Sequence, residues 1–362
     1  MPIATLAPDK FRGSLSAAEA AAAMARGVAA AGFDEVRVVP MADGGDGTLD
    51  TLLAAVGGSR RPARVTGPLG DPVTAEWAQL PDGTAVVEMA RASGLAVVAG
   101  RNDPLRATTR GTGELIAAAL RAGARRVVVG VGGSATTDGG LGAVEVLGWS
   151  LLGADVVVAC DVTTAFVDAA ARFGPQKGAS AAQVALLTRR LERLAEQFEA
   201  RTGVDVRALE GGGAAGGLAG GLAAIGATVA SGFDVVADLV GLEAALDGAD
   251  LVLTGEGRCD ATSFTGKVVG GVLDWAAEIG VPRRGAIVGQ VTPEARDEAS
   301  VRGAVVEALV DRVWQAGEAF TRAATLVEEA AVDLARRSLP PGPHAPGPNP
   351  PGPNPPGPAP SV

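Results

Sequence analysis

The chain has 362 residues, enough for two α/β domains and a large buried core. Hydrophobic residues make up 47% and aromatics only 3%, so the expected core is Ala, Val and Leu. A net charge of −10 argues against a nucleic-acid or anionic-membrane surface, and no apolar run is long and charge-free enough to span a membrane.

Strand-like runs alternate with Ala-rich helical runs, the pattern of α/β domains. Residues 3–8 read as a strand, 15–32 as a helix, 35–40 as a strand and 47–56 as a helix. Short β segments follow at 63–66, 74–80 and 85–89, separated by the turn signals Gly67-Pro68-Leu-Gly70-Asp71-Pro72 and Pro81-Asp82-Gly83. Then come helix 112–122, strand 126–131, helix 139–147, strand 156–160 and a charged helix at 181–201. The Gly/Ala-rich stretch 211–226 reads as a tightly packed helix. Strand 251–254, helix 267–278, strands 285–288 and 305–310 and an amphipathic helix at 316–337 complete the series.

The expected fold class is therefore α/β, with two α/β domains. A discontinuous Rossmann/flavodoxin-like domain takes residues 1–63 and 233–338, an inserted α/β domain takes 64–232, and a cleft separates them. The Pro/Gly-rich tail, 339–362, is expected to be extended and disordered.

That tail holds His344, the sole histidine, and the chain has no tyrosine. Histidine triads and His-ligated metals are thereby excluded from the folded part, so a general base must be a carboxylate or a lysine. Cys160 and Cys259 each precede an aspartate at the end of a strand-like run and read as small buried hydrophobes, not nucleophiles. The N-terminal residues lack a signal peptide's basic and apolar regions, so the cytoplasm is the expected location.

Charged and glycine-rich segments stand at the strand ends, where open α/β sheets bind ligands. Asp9, Lys10, Arg12 and Ser14 follow the first strand; the cations suit an anionic substrate, while Ser14 or Ser16 could equally cap the next helix. Asp43-Gly44-Gly45-Asp46-Gly47-Thr48 follows the second, and its paired aspartates exceed what a turn and cap require, favouring metal or hydroxyl recognition. Gly130-Val-Gly132-Gly133-Ser134-Ala-Thr136-Thr-Asp138-Gly-Gly140 reads as a phosphate cradle, with Asp138 a hard oxygen ligand for Mg²⁺. Its start, Gly130 to Ala135, also fits the dinucleotide fingerprint, but the loop runs on where a dinucleotide fold would begin its helix. Neither a Walker A sequence nor a G-x-S-x-G elbow is present. Lys177 sits in a rigid turn ahead of a helix, as a site residue or an exposed cap. Glu256, Arg258, Asp260 and Lys267 cluster near a later strand end, as a site or a salt-bridged turn.

Together these segments resemble the bacterial glycerate kinase family, the type I group that makes glycerate 2-phosphate. The resemblance rests on Ala7-Pro-Asp-Lys-Phe-Arg-Gly-Ser-Leu-Ser16, Ala42-Asp-Gly-Gly-Asp-Gly-Thr48, Glu88-Met-Ala-Arg-Ala-Ser-Gly-Leu95, Thr109-Arg-Gly-Thr-Gly-Glu-Leu-Ile116 and the segment 132–140. Ala159-Cys-Asp-Val-Thr163, Phe173-Gly-Pro-Gln-Lys-Gly178, Gly212-Gly-Ala-Ala-Gly-Gly217 and 254–260 with Gly266-Lys267 complete it, in family order from residue 3 to about 290. It implies a two-domain α/β enzyme that moves the ATP γ-phosphoryl group to glycerate, chiefly giving 2-phosphoglycerate, with ATP and Mg²⁺ as cofactors. On that reading Lys10 and Arg12 hold anionic groups and Asp43 or Asp46 acts on the acceptor hydroxyl or metal. Gly132, Gly133, Ser134 and Thr136 contact phosphate, with Asp138 or Asp161 at Mg²⁺. Asp9, Ser14, Gly44, Gly45, Thr48, Lys177, Glu256, Arg258 and Lys267 are further binding candidates. The implied partners are glycerate and ATP, with no nucleic acid or membrane; the oligomeric state stays open.

The chain also departs from the pattern. It is shortened at 149–156 and again at 164–172, and Thr137 stands where the family usually has Asn. These edits leave open a catalytically impaired homologue that keeps ligand affinity, and the Gly130–Ala135 fingerprint leaves open a nicotinamide-dependent oxidoreductase.

Overall fold

The computed structural model describes residues 1–339; the Pro/Gly-rich tail with His344 lies outside the described residues. In chain order the strands are β1 (Ile3–Pro8), β2 (Glu35–Val38), β3 (Ser59–Thr66), β4 (Pro72–Gln79), β5 (Ala85–Glu88), β6 (Arg126–Gly130), β7 (Asp155–Cys160), β8 (Thr228–Ser231), β9 (Leu251–Cys259), β10 (Arg283–Val291) and β11 (Ala304–Ala308). They form a five-stranded sheet in the order β11-β10-β9-β1-β2 and a six-stranded sheet in the order β3-β4-β5-β6-β7-β8. The first sheet is parallel throughout. The second is parallel from β5 to β8 and carries the antiparallel β3–β4 hairpin at its edge.

Parallel strands are covered on both faces, so their apolar runs are continuous instead of alternating. Val127, Val128 and Val129 of β6 are all fully buried. On one face of the first sheet the helices Ala17–Ala31 and Ala323–Ser338 pack Met24, Val28, Val327 and Leu334 against Leu6 and Leu253. These helices approach closely: a Cβ on Gly27 would stand 2.4 Å from the Glu328 carbonyl oxygen. Ser16 starts the first of them through a capping box with Glu19.

The opposite face shares its core with the second sheet. Leu49 and Leu52 of helix Thr48–Val56, and Phe233 and Val236 of helix Gly232–Val240, join Val252 to Ala78, Leu80 and Val86. Val235 of the latter helix packs on Val128 and Val157. Two helices wedged between the sheets thus fix how the strand-end loops face each other. The outer face of the second sheet buries Leu115, Ile116, Leu218 and Leu222 from helices Arg110–Arg121 and Ala214–Ala224.

Several elements differ from expectation. Strand β9 does not stop at residue 254 but continues to Cys259, because β10 pairs with it as far as Val291 opposite Cys259. The helix expected at 211–226 is broken, with Ala215, Gly216 and Gly217 at φ 53°, 70° and 95°. The final helix divides at Arg322. Strand β8 and helix Gly232–Val240 lie outside the expected elements, although Phe233, Val236, Ala237 and Val240 stand at helical spacing. Strand β3 runs through residue 64.

Candidate active site

The loops after β1, β2, β6 and β7 converge. The Val131 amide donates to the Gly44 carbonyl at 3.1 Å, locking the β6 loop onto the β2 loop. A Cβ on Gly132 would lie 2.8 Å from Gly45 Cα, and one on Gly44 would lie 2.9 Å from the Ala159 carbonyl oxygen. These glycines are required by chain-on-chain contact, a use that the phosphate-cradle reading did not foresee. Among the described residues, the amides of Gly132, Gly133 and Ser134 donate no backbone hydrogen bond. They line a cavity of about 210 Å³ together with Asp43, Asp161 and Lys177.

Lys177 is buried on the turn Pro175–Lys177, with Nζ donating to the Thr136 carbonyl oxygen at 2.6 Å. Burial pushes its pKa down to about 7, opposed weakly by Asp138. The exposed-cap reading of Lys177 is thereby overturned. Asn102 fixes this corner, its amide donating to the carbonyls of Ala135 at 3.0 Å and Lys177 at 2.9 Å.

Acidic groups gather on the other side. Asp161 is pushed up to about 8 by burial first and then by the adjacent Asp43 carboxylate, with Lys267 opposing. Burial also raises Asp9 to about 6 and Glu256 to about 7. Asp161 Oδ1 and Glu256 Oε1 are buried with no hydrogen-bond partner among the described residues. Burial alone would lower the Lys10 pKa, but Asp9, Asp43 and Asp46 together hold it above its ordinary value. Lys10, Arg12, Ser14 and Asp46 line an open concavity beside this cluster. Lys267 donates to Thr262 Oγ1 at 3.1 Å and faces Asp161 and Glu256. Arg258 is two-thirds exposed and pairs distantly with Asp260 at 3.8 Å, whereas Glu256 is partly buried.

Other candidates are brought elsewhere. Asp138 Oδ2 accepts from the Thr109 amide at 2.8 Å, Thr109 Oγ1 at 2.9 Å, Thr108 Oγ1 at 3.3 Å and the Gly142 amide at 3.3 Å; Oδ1 accepts from the Gly140 amide at 3.2 Å. These bonds make it a fastener of the loop, and it does not line the cavity with Asp161. The Thr136 hydroxyl donates to the Ala215 carbonyl and that of Thr48 to the Gly45 carbonyl; both are fully buried and serve the loops. Ser14 Oγ donates to the Phe11 carbonyl at the edge of the concavity. Gly132 starts no helix: the next one is Leu141–Val146, so the dinucleotide geometry is not formed. Both cysteine thiols are buried, which pushes Cys160 up to about 11 and Cys259 up to about 12.

Two residues escaped the sequence reading. Asn102 left no signal beyond a lone amide in a loop. Glu88, 2% exposed at the end of β5, accepts from the Gly47 amide and from Arg91 Nε at 2.7 Å, tying the Asp43–Thr48 loop to the second sheet. Its signal was the Glu88/Arg91 spacing just after a strand.

Fold and site together define an α/β protein with lysines and carboxylates gathered at strand carboxyl ends and with neither a Walker nor a dinucleotide loop. The sequence model of the glycerate kinase family matches residues 4–157 and 150–339. Those stretches meet where the chain is short, at 149–156. The chain is 42% identical to the glycerate 2-kinase of Escherichia coli K12, over 80% of this chain and 85% of that one. It is 40% identical to the glycerate kinase of Bacillus subtilis 168, over 91% and 96%. A crystal structure of a protein assigned as glycerate kinase 2 from Salmonella typhimurium LT2 superposes with a TM-score of 0.79 at 35% identity, covering 93% of this chain and 98% of that one. The chain belongs to the glycerate kinase family, and with it to the kinases.

Proposed function

We propose that the protein transfers the γ-phosphoryl group of ATP to D-glycerate and gives 2-phosphoglycerate. The observation that carries this reading is Lys177, a buried amine with no carboxylate partner among the described residues, in one small cavity with Asp43 and Asp161. Lys177 and the amides of Gly132, Gly133 and Ser134 receive the glycerate carboxylate. Asp43 accepts the proton of the acceptor hydroxyl, and Lys10 and Arg12 steady the phosphate oxygens. The name of the Escherichia coli relative favours the hydroxyl at C2 over that at C3.

The donor set suits Mg²⁺. Asp161 offers a buried oxygen with no partner, beside Asp43. Among the described residues no group of three or more acids, histidines or cysteines converges on a point. Mg²⁺ favours such sparse protein ligation, taking one or two carboxylates and completing its shell with phosphate oxygens and water. Asp161 would hold the ion, which when bound neutralises phosphate charge.

The division into residues 1–63 with 233–338, and 64–232, belongs to the same proposal. It is supported by β1, β2 and β9 to β11 sharing one sheet while β3 to β8 share the other. The test is incubation of purified protein with ATP, Mg²⁺ and D-glycerate, followed by ³¹P NMR. A 2-phosphoglycerate resonance is expected. A 3-phosphate corrects the regiochemistry, and saturable ADP binding without turnover favours the impaired homologue.

A further inference from the structure

A second cavity, of about 260 Å³, opens at the carboxyl ends of β1, β9, β10 and β11. Strand order reverses there: from β1 the chain runs to β2 on one side and returns as β9 on the other. Open α/β sheets bind ligands at such a point. Gly257 and Gly289 give the cavity a floor of backbone, and both are held to glycine by close chain-on-chain contact. A Cβ on Gly289 would stand 2.3 Å from the Gly257 carbonyl oxygen, and one on Gly257 would stand 3.0 Å from the Arg12 amide. Phe11 and Leu309 give buried apolar walls, and Phe320 gives an apolar rim although its ring is 61% exposed.

The mouth is cationic. Arg12 and Arg258 both line it and both are exposed. Arg258 has a distant partner in Asp260, at 3.8 Å, and Arg12 has no ion pair among the described residues. Arg12 and Ser14 also line the neighbouring concavity that holds Lys10 and Asp46. An apolar slot, two arginines, a lysine and then the Asp43 loop thus follow one another. Glycerate, polar at every carbon, has no use for the slot. A flat heteroaromatic base with a polyphosphate chain matches the sequence of surfaces, since bases stack on aromatic faces and phosphates take arginine forks.

We propose that this slot is the nucleotide subsite, holding the purine of ATP between Phe320 and the Gly257/Gly289 floor, with the phosphates passing Arg12 and Arg258 toward Lys10. This rests on the kinase reading above and adds to it which end of the site takes nucleotide and which takes glycerate.

Arg258→Ala removes a cation at the mouth, and Ala316→Trp fills the slot from an exposed helix position; neither alters the core. Each should raise the KM for ATP, and weaken ADP binding by calorimetry, about 10- to 100-fold, the range for a lost charge-assisted contact. The glycerate KM should stay within about twofold, and adenosine should compete with ATP but not with glycerate. Melting temperatures verify folding, and Arg258→Ala, at an exposed position, covers the case of a misfolded Ala316→Trp. If the wild type turns over while both variants keep their ATP KM and ADP affinity, the slot is not the subsite and the kinase reading stands. If the wild type binds ADP in a manner that Ala316→Trp abolishes but phosphorylates nothing, the slot stands and the kinase reading falls. A wild type that neither binds ADP nor uses ATP overturns both.

Discussion

Lys177 donates its ammonium proton to the Thr136 carbonyl oxygen at 2.6 Å, a dipole where a buried cation would ordinarily have a counter-charge. Its pKa, about 7, lies well below the ordinary lysine value. A base whose folded pKa is depressed makes stability rise with pH between the folded and unfolded values, here from about 7 to about 10.5. Binding has the opposite sense, because the carboxylate of glycerate needs the protonated form. The KM for glycerate should therefore climb above pH 7, by up to about tenfold per unit, until the pKa of the occupied site is reached. Lys177→Met should raise that KM about 100-fold and flatten the profile, while Lys177→Arg should keep the KM less pH-dependent than the wild type. Initial rates between pH 6.5 and 9 check this; a wild-type KM insensitive to pH would remove Lys177 from the carboxylate site.

Asp43 and Asp161 press on each other in the same cavity. The Asp161 pKa, about 8, owes its rise to burial first and to Asp43 next. An acid with a raised folded pKa contributes stability that is fully present below its unfolded value and lost as pH rises through the folded one, here between about 4 and about 8. Asp43→Asn relieves the repulsion, so its melting temperature at pH 8 should equal or exceed that of the wild type. Its turnover should fall about 10²- to 10⁴-fold, the usual worth of a positioned general base. Turnover near the wild-type level would pass the proton-accepting role to Asp46.

The sequence could show Asp43 because an aspartate among glycines at a strand end has little structural excuse; Asp161, in Ala159-Cys-Asp-Val-Thr163, entered only through the resemblance. It could not show which glycines serve the ligand. Gly132 stands against Gly45, and a glycine needed for close approach of another loop looks the same as one needed by a phosphate. The burial of Lys177 was hidden for a related reason: its pocket is closed by Thr136 and Asn102, both far away in the chain. Glu256 and Arg258 read as one charged turn because nothing local says that β10 extends β9 through them. The alternation of strands and helices, by contrast, is local periodicity, and it survived with shifts of a few residues.

The shortened segment makes a separate prediction. Trp149 and Leu152 adopt φ of 64° and 54°, left-handed values that a tight connection imposes on residues other than glycine. Trp149 holds this turn by stacking under Arg201 at 3.9 Å and meeting Phe198 edge-on at 5.6 Å. Trp149→Ala should cost roughly 2–4 kcal/mol of stability, near the lower end for a large aromatic since the ring is only partly buried. The turn lies outside the cavity lining, so kcat should remain close to the wild-type value. Chemical denaturation and steady-state rates together test both halves.

Arg91 and Arg60 offer a contrast in ion pairs. Arg60 bridges Asp50 and Glu76 at 2.7 and 2.6 Å, but all three are substantially exposed. Arg91 also reaches Asp50, and in addition pairs with Glu88, whose side chain is 2% exposed and holds the Gly47 amide. Arg60→Ala should cost at most about 1 kcal/mol, the usual worth of an exposed pair. Arg91→Ala leaves the Glu88 carboxylate buried and unpaired, which costs about 3–5 kcal/mol, or less where the carboxylate takes up a proton. Protonation would also weaken the grip on Gly47 and let the Asp43–Thr48 loop move, so turnover should fall with stability in Arg91→Ala but not in Arg60→Ala. Equal effects of the two substitutions would mean that the loop is held by its contact with Gly130 and Gly132 alone.

Asp138 separates a fastening role from a catalytic one. Its oxygens accept from Thr108, Thr109, Gly140 and Gly142, so an amide in its place would present an NH₂ to donors. Asp138→Asn should therefore destabilise the protein by about 1–3 kcal/mol. Because this residue also anchors the loop whose Thr136 carbonyl holds Lys177, the glycerate KM should rise while the ATP KM changes little. A Mg²⁺ ligand would behave differently: the Mg²⁺ concentration for half-maximal rate would increase and stability would be unchanged. Titrating Mg²⁺ against rate for Asp138→Asn and Asp161→Asn distinguishes the two, with the increase expected in Asp161→Asn alone.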